Sequence, residues 1–288
     1  MPELPEVETM CRGIRTVVGA TVMDVVRPRI SARPIEFMPP FSSLRRRLKG
    51  QTVMAIDRLG KRVVVRFVSG DRLLFEPRMT GMVLLDRPPT AEHVRLIIEL
   101  RCGCATHRLQ FWDRRGLGKV RWLDERAYQQ WIEAAIIGPD ALSITSADLR
   151  ERLKSSSRPI KVALLDQQVL AGVGNLYASE LLHLARLDPR SPCQALTDAD
   201  WKKLHRAMRQ VLLAAIRFEG STLSDGTYRN ALNQPGSYQN HHRVYDRAGQ
   251  RCPTCRHAAI QRIVQAQRST FLCPRCQAQR VGGRRLLR

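Results

Sequence analysis

The first apolar pattern along the chain is helical. After Pro5, the positions Val7, Met10, Cys11, Ile14, Val17 and Val18 follow the three-and-four spacing of a single helix face. Pro5 suits the first turn of that helix, where its missing N–H costs nothing. The pattern then changes. Segments 21–26, 52–56, 62–67, 72–75, 82–85, 94–100, 108–112 and 120–122 are short, rich in β-branched or apolar residues, and separated by Gly, Pro and charged residues. Short strands at such spacing predict a sandwich or a barrel.

Residues 124–148 carry acids, alanines and the breaker Gly138-Pro139-Asp140, and read as an interdomain joint that is partly helical. Helical spacing then returns. Ser146 or Asp148 opens one helix through Leu149 and Leu153, and Ile160 starts another after a polar turn. Trp201, Leu204, Met208, Val211, Leu212, Ala215 and Ile216 form the apolar stripe of a longer one. Thr197 and Asp200 resemble a capping box at its start, and Gly220 is a reasonable stop. Residues 220–239 read as a long loop, either a functional lid or a surface connector. His183 and His205 lie in apolar neighbourhoods and read as structural.

Composition adds a partner. The 288 residues hold 48 Lys and Arg against 26 Asp and Glu, a net charge of +22, which points to a polyanion. Charge alone fits ribosomal or chromatin binding equally well. No secretory signal and no membrane-length apolar run is visible, so a soluble, cytoplasmic protein is expected. The length allows two domains and a small third module.

Two stretches carry candidate chemistry. Cys252-x-x-Cys255 and Cys273-x-x-Cys276 have the spacing of a zinc site with two tight turns. Four cysteines leave no open coordination position, so one structural Zn2+ is expected rather than a catalytic ion; an iron–sulfur centre would use the same ligands. The other stretch is the N-terminus, Pro2-Glu3-Leu4-Pro5-Glu6-Val7-Glu8-Thr9. With Met1 removed, Pro2 is a secondary amine with a far larger unprotonated fraction at neutral pH than a lysine. Such an amine can attack an electrophilic carbon and form an iminium ion. Glu3 beside it can move protons. Alternatively, both prolines and the acids simply start and cap a helix.

The N-terminal stretch resembles that of the formamidopyrimidine-DNA glycosylase family of base-excision repair enzymes, and five later motifs agree with it in order. Arg58-x-Gly60-Lys61-Arg62 resembles a family hairpin whose lysine contacts phosphate beside the damaged nucleotide and has a part in catalysis. Glu76-Pro77-Arg78-Met79-Thr80-Gly81 resembles the H-L-x-M-x-G loop, with Glu76 and Pro77 as departures. Phe111-Trp112-Asp113-Arg114-Arg115-Gly116-Leu117-Gly118 resembles F-x-D-x-R-R-F-G, with Gly116 at the second arginine and Leu117 at the aromatic wedge. Residues 171–180 resemble the helix–two-turn–helix signature, and Gln267-Arg268-Ser269-Thr270 resembles the G-R-S-T finger loop.

The resemblance implies an α+β fold. It comprises an N-terminal two-sheet β-sandwich with an N-terminal helix (1–130), a helix–two-turn–helix domain with the base lid (131–243), and a C-terminal zinc-finger β-hairpin (244–288). It implies a bifunctional glycosylase and abasic-site lyase, monomeric and nucleoid-associated in bacteria, acting on double-stranded DNA with oxidised bases or abasic sites. Pro2, Glu3 and Lys61 would be catalytic, with Glu6 in support. Met79 and Leu117 would fill the void of an extruded base, and Arg115 would read the orphaned one. Lys161, Asn175 and Arg268 would grip phosphates. Thr222, Ser224 and Tyr228 are lid candidates. Oxidised purines are the implied substrates. Oxidised pyrimidines, as in the endonuclease VIII branch, and an inactive zinc-containing DNA-binding protein are the alternatives. Arg275, Arg280, Arg284, Arg285 and Arg288 would add nonspecific attraction to phosphate.

Overall fold

The computed structural model describes residues 2–29, 33–134 and 136–277, and the backbone of strands Gln279–Val281 and Arg284–Leu286. Met1 and the side chains of Arg280, Arg284, Arg285 and Arg288 lie outside the described residues.

The chain forms two compact units. The first contains Met1–Ala134 and Ile216–Gln239, and the second Ala135–Ala215 and Asn240–Arg288. The long loop therefore groups with the N-terminal unit, whereas the sequence reading attached it to the helical region.

In the first unit, helix α1 (Leu4–Gly13) precedes two sheets. One sheet orders its strands β1 (Thr21–Val26), β7 (Val94–Cys102), β8 (Ala105–Asp113) and β6 (Gly81–Leu85). The other orders β2 (Glu36–Met38), β9 (Lys119–Leu123), β5 (Arg72–Glu76), β4 (Arg62–Phe67) and β3 (Val53–Leu59). Every pairing is antiparallel except β2 with β9. Buried residues of both sheets and of α1 form one apolar core, the sandwich implied by the resemblance and one of the two architectures the strand spacing allowed. Two elements escaped the sequence reading. Strand β2 has three residues and no buried side chain, and helix α2 (Phe41–Leu48) buries only Leu44 and Leu48. Neither offers a periodic signal long enough to read.

Helix α3 (Glu125–Glu133) follows, capped by the Asp124 carboxylate, which accepts from Ala127 N at 2.8 Å. In the second unit, α4 (Ser146–Leu153) is capped one residue earlier than expected, by Thr145, whose hydroxyl accepts from Asp148 N at 3.1 Å. Helices α5 (Ile160–Leu164), α6 (Asn175–Leu184) and α7 (Asp198–Arg217) complete the helical set. The box at α7 forms: Thr197 N donates to the Asp200 carboxylate at 3.1 Å, and Asp200 N to the Thr197 hydroxyl at 3.3 Å. The hairpin β10 (Gln261–Gln265) and β11 (Arg268–Leu272) carries the finger loop. Among the described residues, no helix is long and apolar enough to cross a membrane.

Candidate functional site

Pro2 is buried directly ahead of α1. Glu3 is the buried N-cap residue, in extended conformation. The Glu6 carboxylate accepts from Glu3 N at 2.9 Å and, with its other oxygen, from Ser221 N at 2.9 Å. One side chain thus ties the start of the helix to the loop 220–239. Gly220 makes this approach possible. Its φ is +80°, and a Cβ there would lie 2.8 Å from Glu6 Oε1.

Lys61 occupies the two-residue turn between β3 and β4, where Leu59 pairs with Arg62. Arg58 fixes this turn to α1. Its guanidinium donates to the Glu8 carboxylate at 3.0 Å and to the Gly60 carbonyl at 3.1 Å. Glu8 also pairs with Arg12, and its carboxyl stands below the usual range: burial raises it, but the two guanidiniums lower it more. The ionised form therefore prevails at neutral pH.

The departure at Glu76 has a physical account. Glu76 is buried and paired with Arg121 at 2.7 Å and Arg62 at 3.5 Å, so its charge is compensated within the protein. Met79 is 40% exposed. Thr80, next to it, donates its hydroxyl proton to Asp113 Oδ1 at 2.5 Å and accepts from Arg115 N at 3.0 Å. Asp113 Oδ2 accepts from Gly118 N at 2.7 Å. Arg95 completes the clip, donating to the Asp113 and Arg114 carbonyls at 2.7 and 3.3 Å. Arg115 is left exposed and Leu117 half-buried. Gly116 has φ +62°, and a Cβ there would meet the Arg33 carbonyl oxygen at 2.4 Å, so an arginine does not fit this loop. Thr80, Arg95 and Asp113 were missed as site residues, although Asp113 stood inside a quoted motif.

Loop 220–239 is irregular but bonded throughout. The Thr222 hydroxyl donates to the Tyr228 carbonyl at 2.8 Å and accepts from Gly236 N at 2.9 Å. Ser224 is exposed. Tyr228 corrects its expected role as a lid contact. Its ring lies in the sandwich core, its hydroxyl donates to the Glu219 carbonyl at 3.0 Å, and burial raises its pKa well above the ordinary phenol value. It anchors the loop to the core.

In the second unit, Asn175 opens α6. Its amide donates to the Ser269 carbonyl at 3.0 Å, which brings it beside the loop holding exposed Arg268. Lys161 is a second correction. It is 1% exposed, and its ammonium donates to Asn175 Oδ1 at 2.7 Å, Thr270 Oγ1 at 2.6 Å and the Ser269 carbonyl at 3.2 Å. Three donors meet three acceptors, so this cation orients Asn175 and does not reach solvent. Glu180 joins α6 to the segment before the first cysteine pair, accepting from Arg243 N, Val244 N and Tyr245 N at 2.9, 2.9 and 2.8 Å.

The four cysteines converge. All four Sγ atoms lie within 4.8 Å of one another, with 3.8 Å between Cys252 and Cys276 and 3.7 Å between Cys255 and Cys273. A tetrahedral ion with sulfurs at about 2.3 Å requires edges of about 3.8 Å. The geometry and the all-thiolate donor set fit one structural zinc. Of the other cysteines, Cys11 and Cys193 are core thiols, pushed up by burial to about 12 and about 11.

Three family models match in succession. They are the formamidopyrimidine-DNA glycosylase N-terminal domain at 1–120, its H2TH domain at 137–227, and a zinc finger found in FPG and IleRS at 249–279. A Chloroflexus aggregans protein named formamidopyrimidine-DNA glycosylase is 41% identical over 287 residues, 96% of this chain and 98% of the relative. The structure of a Lactococcus lactis FPG mutant with a Fapy-dG containing DNA superposes with a TM-score of 0.86 at 31% identity, over 96% of this chain and 99% of that one. A second, of wild-type Lactococcus lactis Fpg with an oxidized pyrimidine containing DNA, gives 0.84 at 31% identity over the same shares. Matched over nearly its whole length, the chain belongs to the formamidopyrimidine-DNA glycosylase family.

Proposed function

We propose that the protein is a base-excision repair glycosylase that removes oxidised purines, 8-oxoguanine and formamidopyrimidines, and then cleaves the strand. The observation that carries this reading is the N-terminal arrangement: Pro2 buried ahead of α1, with Glu6 joining the Glu3 and Ser221 main-chain N–H groups. Once Met1 is gone, the Pro2 nitrogen attacks C1′ of the damaged nucleotide, and the C1′–N bond breaks as the base leaves with a proton. Glu3 protonates the sugar oxygen, the ring opens, and an iminium ion joins Pro2 to the sugar. The positive end of α1 disfavours the protonated amine. Loss of the 3′ phosphate by β-elimination and of the 5′ phosphate by δ-elimination completes the cut. Lys61 holds phosphate beside the lesion. Met79 fills the void left by the extruded base, Arg115 donates to the orphaned base, and Asn175 and Arg268 bind flanking phosphates. Zinc takes no chemical part; Cys252, Cys255, Cys273 and Cys276 hold it.

Oxidised pyrimidines are a second substrate class. Leu117 in place of an aromatic wedge favours this, as does the Lactococcus lactis complex with such DNA. The protein works on double-stranded DNA in the bacterial cytoplasm, held at the nucleoid by its net charge of +22; the relatives named above are from Chloroflexus aggregans and Lactococcus lactis, both bacteria.

Borohydride trapping tests the reading. Protein verified by mass to lack Met1 is incubated with duplexes carrying 8-oxoguanine or an oxidised pyrimidine. A covalent adduct mapped to Pro2, stronger with the purine, is expected. A stronger pyrimidine adduct would reverse the substrate order. Tight DNA binding without adduct or nicking would replace the enzyme with a zinc-containing DNA-binding protein.

A further inference from the structure

His183 lies on α6 one turn beyond Glu180 and is buried. Its Nε2 is 3.5 Å from Cys252 Sγ, and its Nδ1 has no hydrogen-bond partner. The thiolate is thus the polar group the ring addresses. Protonated or neutral, the ring uses this contact by carrying a proton on Nε2 and donating it to sulfur.

The sulfurs need such donors. Four thiolates around one Zn2+ carry a formal charge of two minus, and two of them, Cys252 and Cys273, are buried from water. Main-chain N–H groups of Ala258 and His257 serve Cys255, and those of Cys276 and Arg275 serve Cys273. Cys252 is fully buried, and there the donor is a side chain from a helix outside the cysteine module. Partners of this outer kind draw charge from a ligand and fix its direction, and their loss commonly costs about 10–100-fold in metal affinity.

We propose that His183 is an outer-sphere partner of the zinc centre, donating Nε2–H to the Cys252 thiolate and slowing loss of the ion. It is a positioning residue and touches neither substrate nor metal. The same helix presents Asn175 at its start, so the contact also ties the cysteine module to the helix that carries a candidate phosphate ligand.

The test uses the full, zinc-loaded chain. H183F keeps a buried ring and removes the donor; H183Q keeps an N–H near the Nε2 position. Zinc release to a chromogenic chelator is timed, and the thiolate-to-metal charge-transfer band is recorded after cobalt substitution. H183F is expected to release zinc about tenfold faster and to shift the band to lower energy. H183Q should stay near wild type in both. Should H183F fail to fold, H183L takes its place with the same readouts. Wild-type release from the donor-less variant, with an unmoved band, would overturn the proposal. So would equal behaviour of the Gln and donor-less variants, which would leave the histidine with a packing role alone.

Discussion

Thr80 donates a hydrogen bond to the fully buried Asp113 carboxylate at 2.5 Å, and this contact joins the loop bearing Met79 to the loop bearing Arg115. A void-filling side chain and a base-reading side chain must act on the same base pair at the same moment, so their loops gain from a shared anchor. T80V keeps the shape and removes the hydroxyl. Asp113 then keeps its main-chain donors, Arg115 N and Gly118 N. A loss of about 1–2 kcal/mol in urea unfolding is expected. The ratio of cleavage opposite cytosine to cleavage opposite adenine should fall about tenfold if the loss of about 1.4 kcal/mol is felt at Arg115, and an unchanged ratio would show that the loops act independently.

The finger hairpin carries a correctable strain. Ala266 and Gln267 both have positive φ, +46° and +60°, the geometry of a type I′ turn between Gln265 and Arg268. A side chain in this region costs about 1–2 kcal/mol, and glycine avoids it. Gln267→Gly should raise the Tm of the zinc-loaded protein by about 2–4 °C, read by calorimetry. A lower Tm would mean that the Gln267 side chain makes contacts worth more than the strain.

What the sequence made legible was local. The β3–β4 hairpin, the capping box at Thr197 and the paired cysteines each declare themselves within a few residues. Lys161 did not, because its role depends on Ser269 and Thr270, more than a hundred residues away, closing over its ammonium. Tyr228 is a similar case: a polar loop sequence gives no sign that this ring lies in the sandwich core. The Asp113 clip was hidden by attention to the arginine beside it. Its value comes from donors on two loops that only the β6–β8 pairing brings together.

The core thiols set an alkaline limit. Burial raises Cys11 to about 12 against an ordinary 9.0, and its Sγ donates to the Asp57 carbonyl at 3.3 Å. A raised thiol pKa means that the folded chain holds the proton more tightly than the unfolded one. The associated stability is complete below pH 9 and is lost as the pH rises towards 12. Cys11→Ala should flatten that decline in urea melts taken across this range. At pH 8, brief alkylation of the zinc-loaded protein should label exposed Cys104 and spare Cys11 and Cys193. Early labelling of Cys11, mapped by mass, would mean that the α1–β3 contact opens readily.

Salt dependence separates the two cations near Asn175. Each phosphate contact contributes about 0.9 to the slope of log affinity against log salt on duplex DNA. Exposed Arg268 is placed to make such a contact, so R268A should weaken binding and reduce the slope by about one. Lys161 is buried and fully engaged with Asn175, Ser269 and Thr270. K161M leaves those acceptors without their donor and frees Asn175 to turn, so affinity should fall and stability drop by about 1–3 kcal/mol. Yet no phosphate contact of its own is lost, and the slope should fall only by whatever Asn175, an uncharged side chain, contributes, which is close to zero. Fluorescence anisotropy across a salt series, on a duplex with a stable abasic analogue, measures both variants. A slope reduced by one in K161M would mean that Lys161 leaves its three partners to meet the DNA.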